Sequence, residues 1–121
     1  MKALVALATC LSLGCALAPA GREPVPTPVW VRSHNRSAVD VYLLCGNRDA
    51  RWLGTVRVKG SDALEIPADT GPCARGLNFF LVVRNSGRGY WVGPLRPLPD
   101  QAVRLVIEKY AALSSARLFE Q

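Results

Sequence analysis

From residue 29 onward, apolar and polar residues alternate with the two-residue period of a half-buried β-strand. Val29 and Val31 alternate with Trp30, Arg32 and His34, and Val39, Val41, Leu43 and Cys45 alternate with Asp40, Tyr42 and Leu44. The same reading predicts strands over 52–58, where Gly54 suits a bulge, and over 63–66. The run 77–84 is the most regular, with Phe79, Leu81 and Val83 on one face. Segments 90–95 and 102–108 bring the number to seven. The tail, 110–119, is compatible with a short helix, but a turn at Ser114-Ser115 followed by a strand through Arg117-Leu118-Phe119 is the preferred reading.

Turn chemistry falls between these runs. Asn35-Arg36-Ser37, Cys45-Gly46-Asn47, Lys59-Gly60-Ser61-Asp62, Asp69-Thr70-Gly71-Pro72 and Asn85-Ser86-Gly87 are residues that close Asx turns or tolerate positive φ. About seven short strands at near-regular spacing predict an all-β domain. The expected form is a single antiparallel sandwich, immunoglobulin-like in architecture, with a small barrel as the alternative. Alternation assigns Val29, Val31, Val39, Val41, Leu43, Phe79, Leu81, Val83, Val103, Leu105 and Ile107 to its interior.

The first 28 residues do not share this pattern. Lys2 precedes an uncharged apolar run, 3–14, which is too short to span a bilayer but suits an export signal. Two cleavage sites compete. Leu11-Ser12-Leu13-Gly14-Cys15 resembles a bacterial lipobox, although Ser12 stands where leucine is usual; Cys15 would become the lipidated N-terminus. Ala18-Pro19-Ala20 instead has the small-x-small pattern of an ordinary signal peptidase site, releasing a chain that begins at Gly21. Cys10 follows too short an apolar run to compete. Four prolines between Ala16 and Pro28 favour an extended, semi-rigid tether. That tips the expectation to a signal over 1–14, a tether over 15–28 and a sandwich over 29–121. In a cell with two membranes, Ala16 resembles a residue that permits transfer to the outer one.

Val31 to Asn35 as a run, Val39-Asp40-Val41-Tyr42-Leu43, Leu53-Gly54-Thr55-Val56, Leu64-Glu65-Ile66-Pro67 and the stretch 103–108 follow one another in this order. Together they resemble a group of small uncharacterised bacterial envelope lipoproteins with a predicted β-sandwich domain. The resemblance spans most of the exported chain. It implies a fold and an address, and no activity.

With Lys2 removed, 14 basic side chains face 9 acidic ones, a net charge of about +5 that permits contact with anionic lipids or acidic glycans. The arginines form no run, and scattered solvated strand positions explain most of them. No nucleic-acid motif is present. Cys45 and Cys73 are the only cysteines left after either cleavage. In an oxidising compartment an even pair invites a disulfide, the alternative being two buried thiols that never meet.

Catalytic equipment is sparse, and the expectation is a non-enzyme without cofactor or metal. His34 is the single histidine. It lies within seven residues of Ser37 and Asp40, too close along one strand-turn-strand for side chains to converge as a triad requires. Asp62, Glu65 and Asp69 make a loose acidic group, short of the oxygen set that calcium takes. Asn85-Ser86-Gly87-Arg88-Gly89 is not followed by the helix that a phosphate loop needs. The sharper expectation is a partner surface. Trp30, Tyr42, Leu44, Phe80, Val82 and Val106 fall on outward positions and would form an apolar patch rimmed by arginine if they met on one sheet. Trp52 and Trp91 are candidate sugar-stacking residues, although a core position is the commoner fate of tryptophan in sandwiches. Two functions follow: a tethered structural or protein-interaction module of the envelope, or a small periplasmic or secreted binding protein for glycan or lipid.

Overall fold

The computed structural model describes residues 25–46, 49–71, 73 and 75–121. The signal expected over 1–14, Cys15 and the proline-rich segment up to residue 24 lie outside the described residues. Within them the chain forms eight strands: β1 (Thr27–Ser33), β2 (Val39–Cys45), β3 (Arg51–Val56), β4 (Ser61–Ile66), β5 (Leu77–Val83), β6 (Gly89–Leu95), β7 (Gln101–Ile107) and β8 (Ser115–Glu120). Short 3-10 turns occupy Ala68–Thr70 and Ala111–Leu113. The domain is all-β, as its two-residue period predicts. The tail adds the eighth strand, in keeping with the preferred reading there. At the other end β1 begins at Thr27, so Thr27 and Pro28, expected to lie in a tether over 15–28, belong to the sheet.

The strands divide into two four-stranded sheets, with orders β4-β1-β7-β8 and β3-β2-β5-β6. All pairings in the second sheet are antiparallel. In the first sheet β1 runs parallel to β7, an exception to the antiparallel expectation. Parallel neighbours need a crossover connection, and here the whole second sheet lies between β1 and β7 in sequence. The layering is that of an immunoglobulin-like sandwich. The strand order differs from the ABED/CFG arrangement, because β1 and β2 lie in different sheets.

Every residue that alternation assigned to the interior is buried there. Valine dominates the inner faces, a side chain whose β-branching suits the pleated surface. Phe79, Leu81, Leu105 and Ile107 are fully buried at the centre. Cys45 and Cys73 are bonded to each other, with Cα atoms 5.2 Å apart. This bond ties the end of β2 to the connection that leads into β5.

At the opposite end, the turn between β1 and β2 is closed by its own side chains. Ser33 Oγ accepts the Asn35 backbone N–H, and Asn35 Oδ1 accepts that of Ser37. The Asn35 amide donates to the carbonyls of Glu108 and Lys109 beyond β7. Ser37 Oγ accepts the N–H of Asn85 in the β5–β6 turn. One polar cluster therefore fastens three loops, and each buried group in it finds a partner.

Candidate binding face

The six residues expected to form one patch do not meet. Alternation tells which residues face away from their own sheet, but not which sheet a strand joins. Trp30 and Val106 are outward on β1 and β7, in the first sheet. Tyr42, Leu44, Phe80 and Val82 are outward on β2 and β5, in the second. The patch is corrected to two separate faces, one on each side of the sandwich.

On the second sheet the register builds something the sequence reading missed. Tyr42 lies opposite Trp52 on β3 and opposite Phe80 on β5. Phe80 in turn lies opposite Trp91 on β6. Four aromatic side chains, Trp52–Tyr42–Phe80–Trp91, therefore cross the sheet in a single row, one from each strand. With strands about 4.8 Å apart, the row is roughly 14 Å long. Trp52 and Trp91 at its ends are 58% and 59% exposed, so neither is a core tryptophan. Tyr42 and Phe80 are partly exposed between them.

Two local devices place these rings. The pairing of β2 with β3 shifts between Val41 and Tyr42, so that Gly54 faces Val41 while Trp52 faces Tyr42. Leu53 is the extra residue of this bulge and packs against the core. Strict alternation from Thr55 would have turned Trp52 inward; the bulge turns it out. On β6 the neighbour is Gly89, opposite Val82. The Phe80 ring lies over the space that a Cβ on Gly89 would occupy. From there it meets Trp91 with ring centroids 4.5 Å apart and planes inclined by 47°, within the range of favourable aromatic pairs.

A polar cluster borders the row. The Arg84 guanidinium donates to both oxygens of Asp40, from Nε at 3.0 Å and from Nη2 at 3.1 Å, a bidentate pair. The Thr55 hydroxyl donates to Asp40 Oδ1 at 2.5 Å. The Arg84 hydrogen bonds hold the Asp40 carboxyl below the ordinary carboxylate range, against the opposing effect of its partial burial. The Thr55 hydroxyl acts in the same direction. Asp40 thus links Thr55 on β3, close to the row, to the arginine at its rim.

The other candidates sit elsewhere. His34 is exposed, the Ser37 hydroxyl donates to the Ala38 carbonyl, and Asp40 is taken by Arg84, so the structure does not bring these three together. Asp62 pairs with Arg57 and Asp69 with Arg51. Among the described residues no three histidine, cysteine, aspartate or glutamate side chains are grouped so as to hold a metal ion. Asn85 to Arg88 lie in the turn between β5 and β6, and Gly89 opens β6.

The chain matches no protein-family model and no curated protein. Among solved structures it is similar to the NMR structure of a protein from Eubacterium rectale, with 15% sequence identity and a TM-score of 0.48. The likeness covers 86% of this chain and 96% of that one.

Proposed function

We propose that this protein is an exported binding module of the bacterial cell envelope, held there by a lipid on Cys15, and that it binds a protein partner through the outer face of the β3-β2-β5-β6 sheet. The observation that carries this reading is the row Trp52–Tyr42–Phe80–Trp91. A solvated sheet face is ordinarily polar, whereas this one leaves two indoles largely in water. Tyrosine, tryptophan and arginine are the residues that dominate the energetics of protein interfaces, and here Arg84 and Asp40 supply the polar rim. The surface chemistry is that of binding and not of catalysis.

The alternative is a site for glycan, favoured by the same exposed indoles. Sugar rings stack best on aromatic rings that share a plane, and the 47° inclination of Phe80 to Trp91 makes a ridge instead. A ridge suits interdigitating protein side chains. The discriminating experiment places a photo-crosslinking residue at Asn78, beside the row, in the exported protein. A discrete crosslinked envelope protein, lost when Tyr42→Asp or Trp91→Asp is added, supports the protein reading. Saturable tryptophan quenching by soluble cell-wall fragments, with no discrete crosslink, sinks it. Intact mass tests the anchor: a diacylated chain starting at Cys15 supports it, and an unmodified chain starting at Gly21 refutes it.

A further inference from the structure

The opposite side of the sandwich has a different character. On the outer face of the β4-β1-β7-β8 sheet, Trp30 lies beside Arg104, and Arg104 lies beside Arg117, in one register row. Arg32 points outward one step along β1, beside Val106. All three arginines are exposed, and Trp30 is 51% exposed. Arg104 lies over the Phe119 ring, 5.1 Å from its centroid, and Arg32 donates to the Ser61 hydroxyl.

Among the described residues none of the three enters an ion pair, unlike Arg51, Arg57 and Arg84. No carboxylate of the sheet forms an ion pair with this row, although Asp62 borders the depression beside it. Glu65 lies opposite Pro28 near the start of β1, Glu120 lies opposite Gln101 at the start of β7, and Glu108 follows the end of β7. Asp62, next to Ser61, is engaged by Arg57. Between Trp30, Arg32 and Arg104 the surface dips into a shallow depression of about 360 Å³.

Three unpaired guanidiniums on one flat face, next to an indole, match the chemistry of an anionic bilayer surface. Guanidinium takes phosphate oxygens in a forked geometry. Tryptophan settles at the headgroup level, where its apolar body and polar N–H are both accommodated. We propose that this face rests on anionic phospholipid, leaving the aromatic row on the far side of the sandwich free for its own ligand. The contact is independent of what the aromatic row binds. It is also independent of whether Cys15 carries a lipid, although β1, the central carrier of Trp30 and Arg32, is the strand that the N-terminal segment enters.

The test uses the full chain with Cys15→Ser, so that no acyl group contributes. Partition is measured onto vesicles of phosphatidylcholine mixed with phosphatidylglycerol, and onto phosphatidylcholine alone. Binding to the anionic vesicles, weakened by salt, is expected. Each arginine near such a surface is worth about a fivefold change in partition, so R32Q/R104Q/R117Q together should lose about a hundredfold. The charge-matched control R36Q/R75Q/R88Q, on exposed positions outside this sheet, should lose far less. Equal loss in both triple variants would mean that net charge alone drives the binding, and would overturn the proposal. So would equal partition of the parent chain onto both kinds of vesicle. If the triple variant unfolds, the parent chain with W52F/W91F gives a second reading: the single remaining indole, Trp30, should shift to the blue on anionic vesicles only. An unshifted spectrum refutes the contact.

Discussion

The ring of Phe80 occupies the place where a side chain on Gly89 would begin. This overlap fixes how the aromatic row is built, because Phe80 can lie down toward Trp91 only if β6 offers no Cβ beneath it. Gly89→Ala should push the ring upright and break its contact with Trp91. The aromatic pair is worth about 1 kcal/mol, so the expected loss of stability is of that order. The partner binding proposed for the row should suffer more than stability does. Denaturant unfolding and a crosslinking assay on the same variant measure both, and unchanged binding would show that the Phe80–Trp91 geometry is irrelevant to recognition.

The Asp40 carboxylate should make its contribution visible through pH. Its folded pKa is depressed, chiefly by Arg84. The stabilisation is therefore complete above the unfolded value, near 3.8, and disappears as pH falls through the lower folded value. Arg84 stays protonated throughout and adds no pH dependence of its own in this range. Because the Arg84 side chain is 58% exposed, solvent screens the pair, and Asp40→Asn should cost only about 1 kcal/mol at neutral pH. Urea unfolding of both proteins at neutral pH and at descending acid values checks this. The gap should close below about pH 4.

How much of this was legible in the chain depends on the range of the signal. Burial at Val29, Val41, Phe79 and Leu105 follows from alternation along a single strand, a local property. The location of the tail strand followed from the turn residues Ser114 and Ser115 for the same reason. Trp52 was not legible, since its outward direction depends on the bulge at Leu53, and the only hint was Gly54 beside it. The grouping of Tyr42 with Phe80, and the separation of both from Trp30, depends on which strands pair. Pairing joins residues more than thirty positions apart, such as Tyr42 and Phe80, and no pattern within one strand encodes it.

The Cys45–Cys73 bond closes a loop with a sequence separation of 28. In the chain-entropy account a loop of this size stabilises the fold by about 3.5 kcal/mol. A domain of about 100 residues shifts its Tm by roughly 4–8 °C for each kcal/mol. Reduction, or the double variant C45A/C73A, should therefore lower Tm by on the order of 20 °C. Calorimetry with and without reductant measures the difference. An unchanged Tm on reduction would mean that the reduced chain keeps the two segments together by packing alone.

Asn35 is the position where the largest effect of a single polar substitution is expected. Its side chain serves Glu108, Lys109 and Ser37 at once, and the residue is only 6% exposed. Asn35→Ala removes three hydrogen bonds and leaves their backbone partners without replacement in a poorly hydrated place. The cost of one such stranded group is about 1–3 kcal/mol, so a total near 3 kcal/mol is expected. Asn35→Asp separates the contributions. Its carboxylate can still accept the Ser37 N–H but would oppose the carbonyls of Glu108 and Lys109, so it should destabilise at least as much as alanine at neutral pH. Hydrogen exchange localises the effect: protection should fall first at Ser37 and at Asn85, whose N–H groups this cluster holds, while the Phe79–Leu81 core keeps its protection. Loss of protection at the core before the turn would show that Asn35 is only a passive filler of the end of the sandwich.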